Sequence, residues 1–141
     1  MERGRTRAEI GSAVYRHAVE FAKAQGRDEN ELLDELIEEA VRMREHPGIG
    51  FKGGPAGRRA WVVGTGLDVW EMIEMHRSMG RETLLDSMEN VSEASLEAAL
   101  SYHESYPEEI EAALKENALS PEHWHRLHPE TIPPSPENSP G

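Results

Sequence analysis

The 141-residue chain contains no cysteine and no long apolar segment. Without cysteine, the protein forms no disulfides and cannot bind zinc through thiolates, which fits a reducing compartment. No uninterrupted apolar run approaches the roughly 18 residues that a membrane-spanning helix needs. The first ten residues carry charge but lack the apolar stretch of a secretory signal. We therefore expect a cytoplasmic protein that does not enter the membrane.

The chain also lacks the patterns of common enzyme sites. No nucleophile stands in a motif with a base, and the many carboxylates fall at helix-capping and solvent positions. Gly48, Gly50 and Gly53 spell GxGxxG, but they lead into Gly54 and Pro55 and do not open a helix, as the glycines of dinucleotide-binding proteins do. We predict that the protein is not an enzyme and needs no cofactor.

The formal net charge of −12 is unevenly distributed. Residues 1–60 carry equal numbers of basic and acidic side chains, whereas residues 61–141 carry 4 basic and 16 acidic ones. The second half suits a basic protein surface, such as the cleft of a ribonuclease. Any contact with DNA phosphates should come from the first half. The candidate DNA-binding residues are Arg3, Arg5, Arg7, Lys52, Arg58 and Arg59.

Two amphipathic helices are predicted within residues 1–47. Thr6 with Glu9 has the spacing of a capping box for a first helix that ends at Gly26, and Asp28 with Glu31 repeats it for a second. Each helix needs the other, or a partner, to cover its apolar stripe, so we expect a helical hairpin and a homodimer. The stripes consist of Ile10, Val14, Ala18, Phe21 and Ala22 on the first helix and Leu33, Leu36, Ile37, Ala40 and Val41 on the second.

An alternative for this region is a ribbon-helix-helix fold. Residues 26–41, GRDENELLDELIEEAV, resemble the second half of ribbon-helix-helix DNA-binding proteins. Their DNA-contacting strand would correspond to residues 3–8 here. That segment, RGRTRA, has no alternation of β-branched residues, and the Thr6 cap predicts that a helix already begins there.

A β-hairpin is predicted after the second helix. Residues 49–52 form its first strand, GGPAG its loop and residues 58–63 its second strand. Gly64, Thr65 and Gly66 then allow a turn with positive φ.

Three helices are predicted to follow as a helix-turn-helix-like core. Asp68 with Glu71 makes a capping box for the first, which ends at Gly80; Asn90 should end the short second helix in a left-handed conformation, and Ser92 should cap the third. The third helix carries glutamates and no Lys or Arg, which disfavours its insertion into a major groove. A packed scaffold or a dimer surface is the alternative. The expected inner positions are Val69, Met72, Ile73 and His76, then Leu84, Leu85 and Met88, then Leu96, Ala99, Leu100 and His103.

The C-terminal part begins with a helix opened by Pro107, with Ile110, Ala113 and Leu114 on its apolar face. A last short helix should start near Ser120, followed by a disordered proline-rich tail from residue 129. The tail helix contains three histidines, but two of them, spaced two residues apart, point about 200° from each other on a helix. We therefore predict no metal site at His123, His125 and His128.

Residues 49–114 resemble domain-of-unknown-function family 433. The resemblance is carried by Gly64-Thr65, by the helix that ends at Gly80, by Ala99-Leu100 with Tyr102, and by the Pro-Glu-Glu-Ile sequence of residues 107–110. It implies a helix-turn-helix-like fold. It also implies a role like that of the antitoxins paired with small PIN-type endoribonucleases in VapBC-like modules. Gly66 stands where the family pattern has an arginine.

We therefore expect a mainly α protein with a helical hairpin at residues 1–47, a β-hairpin and helix-turn-helix-like core at 48–116, and a tail at 117–141. The leading functional hypothesis is an antitoxin whose residues 108–132 wrap a ribonuclease while its core supports autoregulatory DNA binding. A stand-alone transcriptional regulator and a structural interaction module are the alternatives. The expected apolar anchors for the ribonuclease are Leu114, Leu119, Trp124, Leu127 and Ile132.

Overall fold

The computed structural model describes residues 4–55 and 57–118, which divide into two compact units. The first unit ends at Val41 and the second begins at Arg42, so the division falls inside a helix. The mainly α fold with a small β-hairpin is confirmed. The tail predictions, including the last short helix and the disordered segment, lie outside the described residues. The elements in order are α1 (Ser12–Gln25), α2 (Glu29–Glu45), β1 (Ile49–Lys52), β2 (Arg59–Val62), β3 (Leu67–Asp68), α3 (Val69–Ser87), α4 (Glu93–Ser105) and α5 (Pro107–Asn117).

The first unit contains α1 and most of α2, and its first helix begins later than predicted. The Thr6 capping box is wrong: Gly11, with an extended backbone, precedes the first turn of α1. Glycine disfavours continuation of a helix, and the segment before it is held by an ion pair between Arg5 and Asp34. No strand occurs in residues 4–11, where the ribbon-helix-helix alternative required one.

The predicted end of α1 is confirmed, and one of the two hydrogen bonds of the capping box predicted for α2 is present. Gly26 ends α1 in the left-handed conformation with φ 66°, which glycine adopts without a Cβ clash. The Glu31 backbone N–H donates to the Asp28 carboxylate over 3.0 Å, which satisfies one of the free donors at the start of α2.

Most of the predicted apolar stripes of this unit are exposed. Among its described residues, Ala22 and Leu32 alone are buried hydrophobic side chains, and Leu32 lies beside the predicted stripe of α2. The stripes thus identify the helices correctly, but within the described part of this unit most of their side chains are left exposed. The exposed large side chains of the unit are Ile10, Val14, Tyr15, Phe21, Leu36, Ile37 and Val41.

The second unit opens with an antiparallel three-stranded sheet in the order β1-β2-β3. The predicted hairpin is confirmed, with Ile49 opposite Val62 and Lys52 opposite Arg59. The third strand was not predicted. It forms because the Thr65 hydroxyl donates to the Val62 carbonyl and accepts from the Leu67 N–H, which turns the chain back along β2.

The helices α3 to α5 follow the predicted caps, with one exception. The Asp68–Glu71 capping box is present, and Gly80, at φ 84°, kinks α3 into the two predicted helical stretches. Ser92 accepts from the Ser95 N–H and caps α4. The left-handed Asn90 is wrong, because no described residue other than glycine has a positive φ. Its side-chain amide instead donates to the Thr65 carbonyl over 2.5 Å.

The core of the second unit forms where α3 packs on α4, α5 and the sheet. His76, expected on the inner face, is only partly buried, and Met75 and Trp70 are buried instead. No helix of the described residues is long and apolar enough to cross a membrane. The most completely buried side chains include Val62, Val69, Met72, Ile73, Met75, Leu84, Leu96 and Tyr102.

Candidate functional site

Two basic residues of the β-hairpin, Lys52 and Arg59, face one buried carboxylate. Asp68 is the N-cap of α3, and β3 places it opposite Trp61 of β2. Its carboxylate accepts from Arg59 Nε over 2.8 Å and from Trp70 Nε1 over 3.2 Å, and Lys52 Nζ lies 3.7 Å away. Because two of the three candidate hairpin cations already face this anion, their charge is partly neutralised before any phosphate arrives.

The other candidate DNA-binding residues do not join this group. Arg58 donates to the Gly53 carbonyl over 2.7 Å at the mouth of the hairpin loop. Arg5 belongs to the first unit and makes two hydrogen bonds to Asp34, of 2.9 and 3.1 Å. The guanidinium lowers the pKa of the Asp34 carboxyl below its usual value, chiefly through these hydrogen bonds. Arg7 is exposed, and Arg3 lies outside the described residues.

The helices α4 and α5 carry an acidic surface. Residues 93–117 contain seven glutamates, with Lys115 as their one Lys or Arg. Three of the seven pair with cations from other elements: Glu97 with Arg81 at 2.7 Å, Glu109 with Arg42 at 2.8 Å and Glu111 with Arg77 at 2.5 Å. The remaining four are exposed and make no ion pair with any residue of the described ranges. They are Glu93, Glu104, Glu108 and Glu116.

The charges around Glu111 form a surface cluster. Its carboxylate accepts from Arg77 and lies 2.8 Å from His103 Nε2. These hydrogen bonds, from Arg77 first and His103 second, hold the pKa of Glu111 below its usual range. The cluster joins α3, α4 and α5 at the surface, and about half of the Glu111 side chain is exposed to solvent.

A second polar cluster, which the sequence did not reveal, anchors the last turn of α2. The Tyr102 hydroxyl donates to Glu109 and accepts from Arg42, with distances of 2.8 and 2.7 Å. The Arg42 guanidinium also lies 3.9 Å from the centre of the Tyr106 ring, a cation–π contact. Nearby, His46 Nδ1 lies 3.0 Å from the Ser101 hydroxyl.

The burial of Tyr102 assigns this cluster a structural role. The residue is fully buried, and this burial, with the hydrogen bond to Glu109 second, raises the pKa of its phenol well above the ordinary value. The hydroxyl is satisfied on both sides by Arg42 and Glu109, so no substrate can reach it. The i, i+4 spacing of Tyr102 and Tyr106 was the one available sequence signal, since Arg42 lies 60 residues away along the chain.

One of the five apolar anchors predicted to bind a ribonuclease, Leu114, lies inside the core. Leu114 is 8% exposed and packs in the core cluster of the second unit, so its apolar surface is already covered. Leu119, Trp124, Leu127 and Ile132 lie outside the described residues, as do His123, His125 and His128. Within the described ranges, no group of three His, Asp or Glu side chains could hold a metal ion.

A groove of about 360 Å³ lies between the hairpin and α5. Arg58 and Arg59 border it on the hairpin side, Glu109 on the helix side, and Trp70 and Ile110 supply apolar surface. Opposite charges at its borders suit a polypeptide better than a polyanion such as RNA or DNA.

The two surfaces that stand out in the second unit are therefore the acidic face of α4 and α5 and the internally paired cations of the hairpin. The acidic face favours a basic macromolecule over nucleic acid. The hairpin cations that face Asp68 have less charge left to attract phosphates. The chain matches no protein-family model, and neither the curated proteins nor the solved structures gave a match to it.

Proposed function

We propose that this chain is a cytoplasmic, antitoxin-like protein that binds and neutralises a small endoribonuclease. The observation that carries the proposal is the acidic surface of α4 and α5. A ribonuclease must bring Lys or Arg side chains to RNA phosphates, so its cleft is basic. A rigid acidic surface complements such a cleft and speeds the encounter with it. The resemblance of residues 49–114 to family 433 supports the same function.

Autoregulation by DNA binding is a weaker part of the proposal. Lys52 and Arg59 face Asp68 and would have to leave it, or share it, to reach a phosphate. Arg5 is likewise paired with Asp34. Arg58 donates to the Gly53 carbonyl. Arg7 makes no ion pair with any residue of the described ranges, and a single arginine gives little affinity for DNA.

The first test is to tag the chain at native expression level in its own host and identify what copurifies in near-equal amount. We expect a small basic protein that cleaves RNA and is inhibited when this chain is added back. If the chain emerges alone, or with a partner that has no nuclease activity, the antitoxin proposal is wrong.

Matched charge variants show whether the acidic surface makes the contact. Changing Glu93, Glu104 and Glu108 to glutamine should weaken inhibition of the ribonuclease, and the loss should be larger at low salt because exposed charges are screened by salt. The control changes Glu82, Asp86 and Glu89 to their amides, which removes the same charge from α3 and the turn after it. Equal effects from both triple variants would mean that net charge, not this surface, attracts the partner.

A truncation tests the predicted tail anchors separately. Deleting residues 119–141 removes Leu119, Trp124, Leu127 and Ile132 and leaves all described elements intact. If these side chains wrap the ribonuclease, the truncated chain should lose most of its inhibition. Unchanged inhibition would restrict the binding site to the folded helices.

A further inference from the structure

The first unit leaves an unusual amount of apolar side chain exposed. Seven large hydrophobic residues are at least 37% exposed in this unit, and two of them, Val14 and Ile37, exceed 50%. The second unit, more than twice as long, leaves only Met43 and Val63 in this class among its described residues. So many exposed apolar side chains in one short unit indicate an interaction site.

The N-terminal segment with α1 and the part of α2 in the first unit carry opposite net charges. Residues 29–41 of α2 contain six carboxylates and no Lys or Arg, whereas residues 4–27 contain five cations and two carboxylates. Within one chain, some of these opposite charges already pair with each other: Arg5 with Asp34 and Arg27 with Glu35. A surface that presents Arg16 and Lys23 of α1 near the carboxylates of α2 can be complementary to a copy of itself.

The spacing of the charges on the two helices also matches. On α1, Arg16 and Lys23 are exposed and lie seven residues, or two helical turns, apart. On α2, Glu31 and Glu38 are exposed and lie seven residues apart as well. Two such pairs can therefore meet at once when α1 of one chain lies along α2 of another.

Apolar side chains lie near the spaced charges of both helices. A groove of about 520 Å³ runs beside α1, lined by Ile10, Tyr15 and Val19 together with two cations, Arg16 and Lys23, and one carboxylate, Glu20. On α2, Ile37 and Val41 form an exposed ridge at i, i+4 spacing, and both are about half exposed. The α2 ridge of one chain and the α1 groove of another thus both place apolar side chains next to charged ones.

We propose that the first unit forms a two-fold interface with a second copy of this chain, in which the α2 ridge of each copy docks in the α1 groove of the other. A basic ribonuclease would be attracted by the carboxylates of α2 but repelled by Arg16 and Lys23 of α1, whereas a second copy presents charges of both signs. An anionic membrane is disfavoured by the carboxylates of α2. This interface would form whether or not the chain binds a ribonuclease.

The oligomeric state of the full chain tests the apolar contacts of the proposed interface. Sedimentation equilibrium over a concentration series should show a dimer for the natural sequence and a monomer for the double variant Ile37→Glu with Val41→Glu. Val63→Glu is the matched control, because Val63 is 54% exposed and Ile37 56%, but Val63 lies in the second unit. A monomeric natural chain, a larger oligomer, or a double variant that remains dimeric would overturn the proposal.

Charge reversal tests whether α1 of one chain pairs with α2 of the other. The variant Arg16→Glu with Lys23→Glu and the variant Glu31→Lys with Glu38→Lys should each be monomeric, because both contacts of the symmetric dimer become repulsive. Mixed in equal amounts, they should form a heterodimer in which both contacts are attractive. Circular dichroism checks that each variant stays helical. If the mixture stays monomeric while both variants are folded, α1 does not meet α2 of the partner.

Discussion

The two units of this protein use the same sequence pattern with opposite outcomes. In both, apolar residues recur at helical spacing and correctly identify the helices. In the first unit α1 and α2 leave most of their stripes exposed, whereas in the second α3, α4 and α5 bury theirs against each other and a small sheet. The difference is the number of elements available for packing. A periodic stripe thus predicts a helix but not what covers it.

The largest expected effect compares two valines in helices. Val69→Ala in α3 removes two methyl groups from a fully buried position and should lower the free energy of unfolding by about 2–3 kcal/mol. Val14→Ala in α1 should cost almost nothing, because Val14 is 66% exposed and alanine is the better helix former. Urea denaturation of both variants gives the comparison. Equal losses would show that Val14 is buried in solution.

The next comparison uses the two aspartate caps. Asp68→Ala removes the cap of α3 and leaves Arg59 and Trp70 without their buried acceptor, so we expect a loss of about 2 kcal/mol. Asp28→Ala removes an exposed cap of α2 and should cost about 0.5 kcal/mol, at the low end of the range for caps. Thermal unfolding followed by circular dichroism measures both. A larger loss for Asp28→Ala would mean that the first unit limits the stability of the chain.

These caps also show which parts of the structure could be predicted from the sequence. Asp68 with Glu71, Gly80 and Pro107 act on residues within one or two turns, and each was predicted correctly from its neighbours. Asn90 was also a local signal, but its side chain donates to the Thr65 carbonyl, 25 residues away, and its backbone is not left-handed.

The contacts that define the candidate site depend on long-range packing. The pairing of Arg59 with Asp68 requires the third strand, which contains only two residues and has no strand signal of its own. The contact of Arg42 with Tyr102 joins residues 60 positions apart. Residue types and charge could therefore indicate candidate cations and an acidic half, but they could not show which cations already have a partner.

A third comparison concerns two tyrosine hydroxyls. Tyr102→Phe should cost about 1 kcal/mol, because a buried hydroxyl that joins Arg42 and Glu109 is lost while those two remain paired. Tyr15→Phe removes an exposed hydrogen bond to Glu29 in the first unit and should change stability very little. Chemical denaturation at neutral pH compares them.

The alkaline limb of the stability curve provides a further check on Tyr102. The folded state holds the pKa of its phenol above the value of 10.0 that applies when the chain is unfolded. The contribution of the protonated Tyr102 phenol to the free energy of unfolding is therefore complete below pH 10. It is lost as the pH rises above 10, because the unfolded chain then releases a proton that the folded chain retains. In Tyr102→Phe this decline should become shallower. An unchanged slope would mean that Tyr102 is not buried.

The smallest expected effect compares two exposed ion pairs by NMR titration. Arg5→Gln should return the pKa of Asp34 upward toward 3.8, because the guanidinium that lowers it is gone. Arg77→Gln should raise the pKa of Glu111 only part of the way, because His103 still donates to the carboxylate. Both pKa values are low in the folded state, so each pair stabilises the protein above the ordinary carboxyl pKa, and this contribution is lost as the pH falls through the folded value. If Asp34 in the natural sequence already titrates at its ordinary pKa, Arg5 does not hold the N-terminal segment along α2, and the start of α1 at Ser12 depends on Gly11 alone.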